Sequence, residues 1–131
     1  MNVNLVIRED APVIAGHQNI LFTQLDQIPP SACKAVVLND TFNYLTDEQS
    51  EILLGKVRHG GTLSISSPDA MVVATSFCWG IIDIKVFSSL TSHKVQQHSL
   101  LDVKSKLENN GYIIEIANIT EMSFYIKAKR P

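Results

Sequence analysis

Seven polar residues near the start of the chain have the types that ligand binding or acid–base chemistry requires. They follow three apolar runs of strand length, which end at Ile7, Phe22 and Leu38. Ligands of open parallel sheets bind beyond the carboxyl ends of the strands, so residues that follow such runs are expected at one rim. One or two carboxylates would be available there for proton transfer. The set consists of Glu9, Asp10, Gln24, Asp26, Asn39, Asp40 and Tyr44.

A turn is the alternative interpretation of the best-placed members of this set. Asn39, Asp40 and Thr41 follow the third run directly, and short polar side chains in that position commonly bond the backbone of a turn. We favour the turn, and we assign no catalytic residue.

Other kinds of site are not indicated. The four histidines show no H-x-x-x-H spacing on a helix, so we expect no metal. Cys33 and Cys78 lack the spacing of a disulfide framework or a zinc site, and both are expected to be buried thiols. No G-x-S-x-G sequence is present, which disfavours a hydrolase triad.

The clearest predicted element is a helix after residue 46. Thr46 with Gln49 forms a capping-box pattern, and Ile52, Leu53 and Val57 would form the apolar face. Gly60 and Gly61 are expected to end this helix. His59 would then lie at its C-terminus.

Apolar patterning predicts the other elements and the order in which they pack. Strands are expected at 3–7, 20–22, 35–38, 62–66, 112–117 and 123–129, with a turn at 118–121 and a helix from Ser99 to Asn109. The proline pair at 29–30 predicts an extended loop over 25–34, whereas residues 69–97 give no clear pattern beyond a possible helix from Ala70 to Trp79. The order predicts a single α/β domain over residues 1–131. Its sheet is mainly parallel, with strand 35–38 central and an antiparallel hairpin at one edge.

Composition limits the classes of partner. The 131 residues are 45% hydrophobic and 18% charged, with a net charge of −2, which is typical of a globular domain. No basic cluster indicates nucleic acid. The most apolar stretch, 70–82, is about half the length that a membrane span needs, and no signal peptide is evident at the start. We therefore expect a cytoplasmic protein that binds neither nucleic acid nor membranes.

Two stretches of the chain have a distinctive order of strands, helices and glycine or Asn-Gly stops. The first is AVVLNDTFNYLTDEQSEILLGKVRHGGTLSIS, and the second is HSLLDVKSKLENNGYIIEIANITEMSFYIKAKRP. They resemble class I S-adenosylmethionine-dependent methyltransferases: the first is similar to their fourth strand, following helix and fifth strand, and the second to their last helix and terminal hairpin. The resemblance covers residues 19–131 and implies a Rossmann-like α/β fold.

The chain departs from that family where the cofactor would bind. The family's first strand leads into a glycine-rich turn, whereas here the first run leads into Arg8-Glu9-Asp10-Ala11-Pro12. The resemblance implies Glu9 or Asp10 as the acidic residue toward the ribose and Gln24 or Asp26 as the residue toward the adenine. From their position after the third apolar run, Asn39 and Asp40 are expected at the cofactor and Tyr44 at the substrate.

Two functions remain open at this point. The first is a non-catalytic interaction or oligomerisation module that binds no cofactor. The second is a divergent methyltransferase that binds S-adenosylmethionine by an atypical route or completes its site across a dimer. The loss of about one βα unit is expected to leave apolar surface uncovered. We therefore predict a homodimer, or a complex with another protein, whose contact includes Phe77, Trp79 or Phe87.

Overall fold

The computed structural model describes residues 1–131 and contains six strands and four α-helices. The strands are β1 Asn2–Val6, β2 Gln18–Leu21, β3 Cys33–Asn39, β4 Val57–Pro68, β5 Ile113–Thr120 and β6 Ser123–Lys129. The helices are α1 Asp47–Lys56, α2 Ala70–Cys78, α3 Ile84–Thr91 and α4 Leu100–Asn109, and two 3-10 helices span Phe22–Gln27 and Phe42–Tyr44. None of its helices combines the length and apolar character that crossing a bilayer requires.

All six strands belong to one sheet, in the order β2-β1-β3-β4-β6-β5. The first four strands in this order run parallel, and β6 enters antiparallel between β4 and β5. The mainly parallel α/β sheet with a terminal antiparallel hairpin is therefore confirmed, and β3 lies near its centre as predicted.

One face of the sheet holds the hydrophobic core. Leu38, Ile65 and Ile126 lie side by side on β3, β4 and β6, and each is fully buried. The helices α1 and α4 cover this face with apolar side chains that include Leu53 and Leu107. Helix α4 begins at a capping box of Ser99 with Asp102, so the predicted cap is confirmed.

The opposite face of the sheet is only partly covered. The loop after β1 lies over β1 and β2, and Asn4 is buried beneath it. Further along, the side chains on β3, β4 and β6 remain half exposed. We call this region the open face, and it is formed by Ala35, Val37, Thr62, Ser64 and Lys127.

The predicted end of the first helix is wrong. Helix α1 begins at the capping box of Thr46 and Gln49, but it ends at Lys56, and both glycines lie inside β4. Gly60 has the expected positive φ of 82°, yet its N–H donates to the carbonyl of Arg130, and the N–H of Arg130 donates to the carbonyl of Gly61. Pairing with the distant end of the chain thus draws this segment into the sheet.

Several side chains of this region also differ from expectation. His59 lies in β4 instead of at a helix end, and its Nδ1 is 2.8 Å from the main-chain oxygen of Pro131. On α1 the buried side chains are Ser50, Leu53 and Leu54, while Ile52 is exposed.

Three further expectations are corrected. The segment after β2 forms a 3-10 helix over Phe22–Gln27, because Leu25 can then enter the core ahead of the two prolines. Cys78 is exposed, because α2 ends there and buries other side chains; Cys33 is buried as expected. Strand β5 continues to Thr120, so the turn of the terminal hairpin is shorter than predicted.

The segment that the sequence left unclear contains two helices, α2 and α3, which pack on each other. The rings of Phe77 and Phe87 stack between them with centroids 4.6 Å apart. Helix α3 buries no side chain. We call this unit, Ala70–Thr91, the helical hairpin.

Tyr112 links the end of α4 to α1 and provides a test of core packing. Its hydroxyl is buried and donates a 2.6 Å hydrogen bond to the carbonyl of Leu54. Burial raises the pKa of Tyr112 from its ordinary value of 10.0 to about 12. The unfolded chain therefore releases this proton first, and stability falls as pH rises from about 10 to about 12.

We expect Tyr112→Phe to lower the free energy of unfolding by about 1–2 kcal/mol at neutral pH, because the carbonyl of Leu54 loses its partner. Above pH 10 this difference should shrink, since phenylalanine cannot ionise. Urea unfolding at neutral and alkaline pH measures both effects. A difference that grows with alkaline pH would contradict the assignment.

Candidate functional site

The carboxyl ends of β1, β3 and β4 form one rim, and it carries mostly polar residues. Strand β3 ends at Asn39, whose Oδ1 accepts a 3.0 Å hydrogen bond from Ser66 Oγ on β4. Asp40 follows with a positive φ of 55°, which Asp tolerates better than most residues in a tight turn. Asn39 is thus still part of the strand and Asp40 follows it in a bend, and both residues line the rim.

A first hollow lies between β1 and β3 and is small. Its volume is about 160 Å³, below the roughly 300 Å³ at which small-molecule sites begin. The loop after β1 occupies the adjoining space, because Asn4 Nδ2 donates to the carbonyl of Pro12 and Asn19 Nδ2 donates to that of Ala11. Its lining is Asn4, Val6, Ile7, Ala11, Pro12, Ile14, Asn39 and Thr41.

A second hollow lies between β3 and β4 and has a volume of about 300 Å³. Its carboxylate, Asp40, is 3.1 Å from the Nζ atom of Lys94, whose side chain is 3% exposed. The Oγ atom of Ser67 is buried without a hydrogen-bond partner. This arrangement offers hydrogen bonds to a small polar group, and its carboxylate is already paired with a cation. Its lining is Asn39, Asp40, Ser66, Ser67, Pro68 and Ser123.

The structure brings only some of the predicted residues to this rim. Glu9 and Asp10 are exposed in the loop after β1, where Asp10 lies 3.6 Å from Arg8. Tyr44 is half-buried at the end of the second 3-10 helix, and its N–H donates to the carbonyl of Thr41.

Gln24 and Asp26 lie away from the rim. Gln24 lines a hollow with Met1 and Gln18, at the ends where β1 and β2 begin. Asp26 lies beside Glu48 in the first turn of α1. The 3-10 helix over Phe22–Gln27 explains this separation, because it leads the chain from the carboxyl end of β2 back toward the amino ends of the strands.

Sequence reasoning missed three residues of the rim. Ser66 and Ser67 end β4 beside Asn39, and their position at the end of an alternating strand could have indicated them. Lys94 is 54 positions from Asp40, and nothing in its local sequence indicates that pairing.

His98 is the histidine with the most distinctive environment. Its ring packs on Phe42 with centroids 4.9 Å apart. Burial, reinforced by the charge of Lys106, lowers the pKa of His98 below its ordinary value, while Asp102 and Asp47 oppose that shift. The imidazole is therefore held neutral near pH 7, as part of the packing around Phe42.

Sheet order and the terminal antiparallel hairpin together define a Rossmann-like α/β fold of the methyltransferase-like kind. No family model matches the sequence, and no curated protein matches it. The fold is similar to a SAM-dependent methyltransferase from Archaeoglobus fulgidus, with a TM-score of 0.64 and 13% identity over 98% of this chain and 75% of that one. A methyltransferase from Mesorhizobium loti gives a TM-score of 0.62 and 12% identity over 98% of this chain and 80% of that one.

An O-methyltransferase family protein from Burkholderia thailandensis is also similar, with a TM-score of 0.59 and 16% identity over 87% of this chain. The chain spans only 36% of the length of that protein. The chain therefore has a truncated class I methyltransferase-like fold, and the loop that follows β1 lacks the glycine-rich sequence of the family it resembles. At these identities the similarity establishes the fold and leaves the activity to be inferred.

Proposed function

We propose that residues 1–131 form one domain that acts as a non-catalytic interaction module and assembles as a homodimer. The observation that carries this proposal is the helical hairpin, which exposes large apolar side chains. Trp79 is 80% exposed, Ile81 71% and Ile84 59%. Contiguous apolar surface of this kind marks interaction sites on globular proteins.

The composition of the helical hairpin favours a protein partner. Between residues 70 and 91 its charged residues are Asp83 and Lys85, and charged residues are depleted at the cores of protein interfaces while aromatic residues are enriched. The stacked rings of Phe77 and Phe87 add aromatic side chains to this unit. A second copy of the chain is the proposed partner, since two-fold homodimers are the commonest closed assembly.

The rim supports the absence of catalysis. A loop bonded to Asn4 and Asn19 restricts the space beside β1, and Asp40 is paired with Lys94. Neither of the two hollows combines an adequate enclosed volume with a free acid or base. The proposed setting is the cytoplasm, where the two free cysteines would stay reduced.

A divergent S-adenosylmethionine-dependent methyltransferase is the second candidate. The similarity to solved methyltransferases over 98% of this chain favours it. In that case the cofactor would have to enter by displacing the loop after β1, or the site would be completed by a partner copy.

Light scattering at micromolar concentration tests the dimer. We expect a mass of twice the 14.5 kDa of the chain, and we expect Trp79→Glu to reduce it to the single-chain mass, because a buried carboxylate without a partner is costly. The matched control is Leu101→Glu on α4, which replaces a similarly exposed apolar residue outside the helical hairpin and should leave the dimer intact. A single-chain mass for the unmodified protein would contradict the proposal.

A further inference from the structure

We propose that in this dimer the helical hairpin of each copy packs on the open face of the other. The inference rests on the proposed homodimer and adds the surface that the helical hairpin meets. It follows from two features of one chain: a sheet face without a helical layer, and a pair of helices with little to pack against.

The open face is unusual for parallel strands. Parallel sheets occur almost only with both faces covered, yet Ala35 and Val37 on β3 and Thr62 and Ser64 on β4 are half exposed. These side chains are small, so a helix could approach the backbone of the sheet closely. The core face of the sheet already carries α1 and α4. The open face is therefore the side that still needs a covering layer of helices.

The helical hairpin, in turn, buries few of its side chains within its own chain. Helix α3 buries no side chain in its own chain, and α2 buries only Val73 and Ser76. Its exposed aromatic and aliphatic side chains have the character of a helix that covers a sheet. One chain therefore contains both a helical layer without a sheet and a sheet face without a helical layer.

The area and the charges fit this arrangement. The open face spans three neighbouring strands about 4.8 Å apart and about five residues long, so its area is roughly 240 Å². A two-fold dimer contains this contact twice, and each contact buries surface on both partners, so the dimer buries on the order of 1,000 Å², about what a specific interface needs. Lys127 is the charged residue of the open face, and the helical hairpin carries Asp83 and Lys85, so both surfaces have few charges to desolvate and no net repulsion between them.

Thiol cross-linking tests the arrangement in the full chain. Cys78 is exposed at the end of α2, and Cys33 is buried, so the helical hairpin already carries a single reactive thiol. We would introduce one further cysteine on the open face, in separate Thr62→Cys, Ser64→Cys and Lys127→Cys variants, and oxidise each mildly. The matched control is Ser105→Cys, an exposed position on α4.

We expect at least one of the three open-face variants to form a covalent dimer in high yield, because a disulfide needs the two residues to lie close together. Adding Cys78→Ser to that variant should abolish the product, and Ser105→Cys should give none. A covalent dimer in the unmodified chain through Cys78 alone, with no gain from the new cysteines, would mean that two hairpins pair with each other and would overturn the inference.

A covalent dimer that survives Cys78→Ser would indicate contact between two open faces and would also overturn the inference. The proposed function fails separately, by a single-chain mass in light scattering. If light scattering shows a dimer but none of the three variants cross-links to Cys78, the proposed function stands and only this arrangement is rejected.

Discussion

Asp69→Ala is expected to lower the free energy of unfolding by about 3 kcal/mol, because charge-assisted hydrogen bonds contribute more than neutral ones. The Asp69 carboxylate is buried, and its Oδ1 accepts hydrogen bonds from the N–H groups of Met71 and Val72 at 3.0 Å each. Its Oδ2 accepts a third, at 2.8 Å, from the N–H of Leu100. One side chain thus caps α2 and also joins it to the start of α4.

Asp83 offers the matched control for this prediction. It caps α3 through a single 2.9 Å bond from the N–H of Val86, and it is exposed. Asp83→Ala should therefore cost about 1 kcal/mol or less, the usual effect of losing an exposed cap. Chemical denaturation of both variants measures the difference. Equal losses would show that Asp69 serves as an ordinary cap and does not join two helices.

Gly61→Ala is expected to lower the free energy of unfolding by a similar amount, about 3 kcal/mol, through steric overlap in the sheet. A Cβ atom at this position would lie 2.9 Å from the carbonyl oxygens of both Arg58 and Lys34. Both atoms belong to the backbone, so neither can move without distorting β3 or β4. The irregular register between Cys33 and Ala35 lies at this point of the sheet.

Gly55→Ala is the matched control on the neighbouring helix. Position 55 lies in α1, and a Cβ atom there would meet nothing within 4 Å. Alanine should therefore stabilise the protein by about 0.5–1 kcal/mol, because glycine loses more conformational entropy in a helix. Thermal unfolding of the two variants should shift in opposite directions. Equal behaviour would contradict the close approach at Gly61.

Predictions from the sequence succeeded where the signal was local. The caps at Thr46 and Ser99 depend on residues three positions away, and both are present. The end of α1 was misplaced because the hydrogen bonds between the glycine pair and Arg130 bring together segments about 70 positions apart. Pairing between segments so far apart cannot be predicted from the conformational preferences of neighbouring residues.

In the candidate site, too, positions set by local sequence were predicted and contacts set by distant segments were not. Asn39 and Asp40 follow an unmistakable strand, and they lie at its carboxyl end. Gln24 was misplaced because a short 3-10 helix follows β2, and Leu25 is the residue of that helix that is buried. The ion pair of Asp40 with Lys94 depends on the fold as a whole.

Titration calorimetry with S-adenosylmethionine is the most direct test of our proposal that this methyltransferase-like domain acts without the cofactor of its structural relatives. We predict no binding heat at concentrations up to about 1 mM, which corresponds to a binding free energy weaker than about −4 kcal/mol. The protein should be titrated as its native assembly, so that a site shared between copies is not lost. A dissociation constant tighter than about 100 μM, or roughly −5.5 kcal/mol, would contradict the claim and favour the divergent enzyme.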